Sequence, residues 1–149
     1  MIGGMESDHE NPQLAFVRES VLLGRKWRAA VDERLRPHGL TLARSTVLYW
    51  IERLPDTVTQ RELADTVGIE GPTLVRLLHA LEGQGLVERV PMPGDRRAKG
   101  LRLTDAAQPV LATLKSVTET LSRERLDHLD RRRLSSATRL VREARAAFD

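Results

Sequence analysis

Apolar positions repeat at three- and four-residue steps near both ends of the chain and break into short, punctuated runs in the middle. Leu14, Val17, Val21, Gly24, Val31 and Leu35 form one stripe, which predicts a long helix from near Pro12 to Arg36, stopped before Pro37. A second stripe, Phe16, Leu23, Trp27 and Ala30, lies beside the first. A helix that is apolar over so much of its circumference needs more than one packing partner, and another subunit can supply one. Thr41 reads as the N-cap of a second helix carrying Val47, Leu48, Ile51 and Leu54 and ending near Pro55. Val110, Leu114, Val117 and Leu121 predict a long helix following Thr104, with Pro109 in its first turn, where the missing amide hydrogen costs least. Leu134, Ala137, Val141, Ala144 and Phe148 predict a last helix, with Arg131, Arg132 and Arg133 where it starts. Heptad-like stripes at both ends suit an intertwined helical dimer, although an intramolecular bundle gives the same pattern.

The middle is punctuated by caps and turn residues. Thr59-Gln60-Arg61-Glu62 is a capping box, and Val58 with Leu63 can form its hydrophobic staple. The helix it opens is short, because Gly68 follows Val67 and can take the left-handed conformation that ends a helix. Pro72 suits the first turn of another helix, with Leu74, Val75, Leu78 and Leu81 facing inward and Gly83 and Gly85 marking its end. Two helices joined by a tight glycine turn make a helix-turn-helix, in which Leu74 and Leu77 lock the second helix onto the first. Pro72, Thr73, Arg76 and Ala80 are left facing outward. Next, Leu86 to Val90 alternates like a strand, Gly100 to Thr104 reads as its partner, and Pro91, Pro93 and Gly94 open the loop between them. The expected fold is mostly α with a small β hairpin: a winged helix-turn-helix with long N- and C-terminal dimerisation helices.

Charge sharpens this reading. Residues 1–56 carry eight basic and eight acidic side chains, and residues 105–149 carry nine against seven. Between Arg89 and Arg102, by contrast, Arg89, Arg96, Arg97, Lys99 and Arg102 face Asp95 alone, a local balance of +4. A solvated loop shows the same cluster, but here it directly follows a helix-turn-helix. Arg76 can donate two hydrogen bonds to a guanine edge, and Thr73 can reach a phosphate or a thymine methyl. Arg97, at the hairpin tip, suits a minor groove, with Arg96 and Lys99 as further DNA contacts. Asp95 is the expected wing support, holding Arg97 or a loop amide by a charge-assisted hydrogen bond.

These residues resemble the MarR family of transcription regulators. Asp95-Arg96-Arg97-Ala98-Lys99-Gly100-Leu101-Arg102-Leu103-Thr104 is similar to that family's wing signature, an Asp-x-Arg tip followed by a strand ending in Leu-Thr. Leu54-Pro55, Gln60, Leu63-Ala64, Gly68-Ile69-Glu70, Pro72, Leu74-Val75-Arg76, Leu81-Glu82 and Gly85-Leu86 resemble its SlyA subgroup. So do Arg25, Trp27-Arg28, Asp32, Arg34-Leu35, Pro37 and Leu40-Thr41 upstream. The similarity covers about residues 20–112; in the C-terminal helices only the apolar pattern matches. The resemblance implies a homodimer with interlocked terminal helices that binds a pseudo-palindromic double-stranded DNA operator as a repressor or counter-silencer. Pro72, Thr73 and Arg76 then belong to the recognition helix and Arg97 to the minor-groove contact. It also implies release from DNA by a small aromatic carboxylate held between the dimerisation and DNA-binding parts. Candidate ligand residues are Arg25, Trp27 and Arg28, where a carboxylate can pair with guanidinium while its ring stacks on indole, and Ser45 and Tyr49. At these last two positions the subgroup usually has an aromatic residue and a histidine. The alternative is that Arg25 and Arg28 make interface salt bridges and Trp27 is core.

Other classes find less support. Cysteine is absent, which removes disulfides and thiolate metal sites. There is no phosphate-binding Gly-x-x-x-x-Gly-Lys loop, no nucleophile elbow and no His-Glu-x-x-His, and His9, His38, His79 and His128 are scattered. No catalytic residues, metal site or cofactor are expected, and the chain reads as a regulator rather than an enzyme. No apolar run approaches the roughly 18 residues of a membrane span, and the polar N-terminus is unlike a signal peptide, so a cytoplasmic, nucleoid-associated protein is expected. A helical dimer serving as a non-DNA-binding protein adaptor is the second hypothesis. The expected organisation is a disordered tail over 1–11, an N-terminal dimerisation helix over 12–40, the winged helix-turn-helix over 41–104 and C-terminal dimerisation helices over 105–149, all within one intertwined unit.

Overall fold

The computed structural model describes residues 11–149; the expected tail, Asn11 apart, lies outside the described residues. Asn11 caps the first helix, its side-chain oxygen accepting the Gln13 amide hydrogen at 2.9 Å. Helix α1 (Pro12–Leu35) continues into a 3₁₀ turn over Arg36–His38, and α2 (Leu42–Arg53) follows. Then come α3 (Gln60–Val67) and α4 (Gly71–Gly83), an antiparallel hairpin of β1 (Val87–Met92) and β2 (Asp95–Leu103), and finally α5 (Ala107–Leu126) and α6 (Arg131–Ala146). Among the described residues no helix is long and apolar enough to cross a membrane.

Two cores hold these elements. The larger gathers Leu48, Leu63, Leu74, Leu78, Leu81 and Leu101, joining α2, α3, α4 and the hairpin. The smaller packs Val31 and Leu35 of α1 against Leu114 and Leu121 of α5, and Tyr49 is partly buried against both. Val75 is a correction to the expected inward face. It is only half-buried and lies outside the core, whereas its neighbour Leu74 is fully enclosed and Leu77 packs on the core edge. Successive helical residues are 100° apart, so the two could not share one narrow face.

The helix-turn-helix is set by local chemistry. The Thr59 hydroxyl oxygen accepts the Glu62 amide hydrogen at 3.2 Å, and the Glu62 carboxylate accepts the Thr59 amide hydrogen at 2.7 Å, closing the box. Gly68 ends α3 at φ 74°, in the left-handed region that a side chain disfavours. Thr59→Ala is expected to lower the unfolding free energy by about 1 kcal/mol in denaturant titrations. The hydrogen bond from the Thr59 amide, then that from its hydroxyl, holds the Glu62 carboxyl below its ordinary value of 4.5. A carboxyl depressed by folding stabilises the fold above its unfolded value and loses that contribution as pH falls through the folded one. Wild type should therefore melt above Glu62→Gln at pH 7, with the gap narrowing on acidification to pH 3.

The hairpin is longer than its alternation suggested. Pro91 is in β1 rather than in a loop, paired with Lys99, and Met92 pairs with Asp95 across a register shift, leaving only Pro93 and Gly94 between the strands. Proline is tolerated because each strand has one partner only, so its missing amide hydrogen faces outward. At the hairpin's base the Thr104 amide donates to the Leu86 carbonyl and its hydroxyl to the Gly85 carbonyl. Gly100 lies against the turn entering α3: a Cβ there would run into the Asp56 carbonyl oxygen, so the close approach requires glycine.

The two ends of the chain are less covered. Leu14, Val17, Val21 and Leu23 on the first half of α1 are exposed, as are Leu134, Leu140 and Val141 on α6, which buries no residue. Phe148 follows the end of α6 and is exposed. The three arginines opening α6 follow Asp130, whose carboxylate accepts the Arg133 amide hydrogen at 2.9 Å and supplies negative charge at the helix N-terminus.

Candidate nucleic-acid interface

Helix α4 begins after Glu70, with Pro72 in its first turn. Pro72 and Arg76 are exposed, while Thr73 and Ala80 are half-buried, so the outward surface is narrower than the four positions expected. His79 continues that surface three residues beyond Arg76, a surface histidine that nothing in the sequence ties to the helix face bearing Arg76. Beside α4 runs a shallow groove lined by Gln60, Arg61 and Asp65 of α3 and by Thr73 and Val75 of α4. Arg61 is exposed there, a second basic side chain that the charge reading passed over because it stands alone in sequence.

The Asp95 carboxylate accepts the Arg97 amide hydrogen at 2.8 Å, which fixes the backbone just after the tip. Arg97 and Lys99 are exposed and form no ion pair with another described residue; the side chain of Arg96 lies outside what is described. Two of the five basic residues counted in this stretch are already paired. Arg102 is 2.6 Å from Glu88, its direct cross-strand partner, and Arg89 is 2.7 Å from Glu82 on α4. The hydrogen bond to Glu88, then its negative charge, strengthens the hold of Arg102 on its proton. The charge available on the hairpin is thus smaller than the sequence balance and lies toward the tip.

Behind α4 a cleft of about 1110 Å³ separates α1 and α5 from the helix-turn-helix. Trp27, Arg28 and Tyr49 line it; Arg25 and Ser45 do not. Ser45 is 1% exposed and shares the buried face of α2 with Leu48 and Ile51, and its hydroxyl finds no partner among the described residues. The cleft stripe of α2 is instead Leu42, Thr46, Tyr49 and Arg53, one residue out of phase with Ser45. Arg53, missed from sequence, lies over the Tyr49 ring at 3.5 Å and 3.1 Å from Glu52. Lys115, also in the cleft, is 3.9 Å from Glu119. Arg28 therefore remains the cleft cation with no acidic partner among the described residues, and Arg25 likewise has none among them within its own subunit. Trp27 is half-buried and packs on the smaller core as well as lining the cleft. No described group of three or more His, Cys, Asp or Glu is placed to hold a metal ion.

Comparison with known proteins bears on this arrangement. The sequence profile of the MarR family matches residues 38–98. The solved structure of transcriptional regulator PA3341 is 38% identical, with a TM-score of 0.80, over 89% of this chain and 97% of that one. A point mutant of E. coli MarR complexed with operator DNA is 24% identical over 93% of this chain and 99% of that one, with a TM-score of 0.75. CouR from Rhodococcus jostii RHA1, solved with p-coumaroyl-CoA bound, is 22% identical over 94% of this chain and 95% of that one, with a TM-score of 0.74. The last two share the fold. With the helix pair opened by the Thr59 cap, the wing and a 38% identical regulator matched along nearly its whole length, this chain belongs to the MarR family of winged helix-turn-helix transcriptional regulators.

Proposed function

We propose that this chain acts as a homodimer on a pseudo-palindromic operator, each subunit placing α4 in a major groove and its wing in the adjacent minor groove. The observation that carries this reading is the set of cations left unpaired: Arg76 on α4 and Arg97 and Lys99 on the wing are exposed without acidic partners among the described residues, whereas Arg89 and Arg102 are neutralised. Arg76 then reads a base edge, and Arg97 occupies the groove of strongest negative potential. Pro72 and Thr73 approach the backbone at the helix N-terminus, Lys99 and Arg96 add phosphate contacts, and Asp95 holds the tip. The apolar rows on α1 and α6 supply the dimer contact, so residues 12–40 and 105–149 serve as dimerisation elements around the DNA-binding part at 41–104.

A duplex selected by the wild-type protein from a random-sequence pool provides the test. Steeply salt-dependent binding with a defined footprint supports the reading, whereas absent or salt-insensitive binding supports the protein-adaptor alternative. Arg76→Ala should cost about 1–3 kcal/mol on the selected duplex and relax sequence preference. Arg97→Ala should weaken binding to selected and mixed-sequence DNA alike and lower the salt slope by about one per subunit. Wild-type binding by both variants would sink the assignment.

The cleft supports regulation by a small aromatic carboxylate. Arg28 is the anion partner, Trp27 and Tyr49 are the ring surfaces, and Thr73 lines the cleft as well as the groove on α4, so a bound ligand touches the recognition helix. Titration calorimetry with salicylate and p-coumarate should show heat that Arg28→Ala abolishes, together with weakened DNA binding by the ligand-loaded wild type. Absence of both effects rules out these two acids.

A further inference from the structure

Arg89 belongs to the wing's basic cluster, yet its guanidinium is engaged by protein groups. Its Nε is 2.7 Å from Oε1 of Glu82, in the last turn of α4, an ion pair that is not aligned as a hydrogen bond and is made to a buried oxygen with no other polar partner among the described residues, and its Nη1 donates to Oε1 of Gln60, the first residue of α3, at 3.1 Å. The Arg89 and Glu82 side chains are 31% and 28% exposed, against 52% and 45% for the pair Arg102–Glu88, which stays within the hairpin. One planar fork thus joins three elements: the wing strand, the end of the helix bearing Arg76, and the start of the helix bearing Arg61. Lysine, a single point charge, cannot face a carboxylate on one side and an amide oxygen on the other as the planar guanidinium does. Gln60 is also the residue following the Thr59 cap, whose own geometry is fixed by Glu62. The brace therefore ends on rigid anchors rather than on loops.

We infer that Arg89 is a positioning residue for DNA recognition: through Glu82 and Gln60 it sets the wing against α3 and α4, and it does not itself contact phosphate. This rests on the DNA-binding reading above. It makes an unusual demand on Glu82, an acidic residue of a DNA-binding domain. Removing its charge by simple electrostatics would strengthen attraction to DNA, whereas loss of the brace weakens it.

The experiment compares Arg89→Gln, Arg89→Lys, Glu82→Gln and the double variant Arg89→Gln/Glu82→Gln with wild type on the selected duplex over a salt series, alongside thermal melting and amide hydrogen exchange of the free proteins. A brace predicts that each single variant loses roughly tenfold in affinity, the scale of breaking one partly buried ion pair and leaving its partner charge unmatched. The double variant should be no weaker than either single one, because both remove the same interaction. Salt slopes should stay at the wild-type value, and amides of residues 87–90 and of Met92 should exchange faster in Glu82→Gln and Arg89→Lys alike. Arg89→Lys is decisive, since a phosphate contact would survive it and a brace reaching both Glu82 and Gln60 would not. The inference is overturned by a slope that falls in Arg89→Gln, by wild-type affinity in Arg89→Lys, by unchanged or tighter binding in Glu82→Gln, or by unaltered exchange of the wing. A variant that melts far below wild type also overturns it, because the role would then be stability of the domain. If wild type itself binds no DNA, the DNA-binding reading fails, and the exchange experiment still decides whether the brace exists.

Discussion

Val21→Glu combined with Leu140→Glu should leave folded monomers that bind the selected duplex about 10²–10⁴-fold more weakly than wild type, the range by which linking two binding modules raises avidity. Both positions are uncovered within one subunit, Val21 at 64% and Leu140 at 53% exposure. Glutamate is therefore accommodated in the isolated chain at little cost to its own packing. In a subunit interface the same side chains carry charge into an apolar seam, and four carboxylates per dimer lose their water. Each separated subunit retains one α4 and one wing, and so retains half of the operator contacts without the tether that makes the second half intramolecular. Light scattering reads the mass and a gel shift the affinity. A dimer that persists with wild-type affinity would show that the subunits meet elsewhere or that dimerisation is irrelevant to binding.

Leu78→Ala should have the largest effect on stability, about 2–5 kcal/mol for truncating a fully buried leucine. Leu78 is 0% exposed in the larger core, where α4 meets α2, α3 and the hairpin. With domain stabilities of about 5–15 kcal/mol, this change removes a large share of the margin. By contrast Val75→Ala, a few residues away but outside that core, should stay within about 1 kcal/mol. Denaturant unfolding of the two variants separates these outcomes, and equal costs would mean that α4 is seated differently on its neighbours.

What sequence could and could not convey follows from the range over which each interaction acts. The cap at Thr59, the stop at Gly68 and the cap at Thr41 depend on residues two to four positions apart, and all three appear at the expected places. The extent of the hairpin was harder to see, since Pro91 reads as a breaker until its strand is known to have only one partner. The phase of α2 was misjudged by one residue: Ser45 and Tyr49 are a helical turn apart, yet the helix turns Ser45 to the interior and Thr46 to the cleft. Charge was the least legible quantity. Arg102 and Arg89 looked available in a linear count because the residues that neutralise them, Glu88 and Glu82, meet them only after the strands pair and pack on α4. The partners of Arg53 and Lys115, Glu52 and Glu119, lie one and four residues away, so those pairs are local, and only their place in the cleft depends on the fold.

Helix α1 carries a final consequence. Its second half buries Val31 and Leu35 inside the subunit, while its first half exposes Leu14, Val17, Val21 and Leu23. One continuous helix is thus completed partly by its own chain and, in the proposed dimer, partly by another molecule. Folding and association then draw on the same free energy, and the melting temperature becomes a function of protein concentration. Dilution acts as a mild denaturant, and scarce copies in a cell would be short of stability as well as of partners.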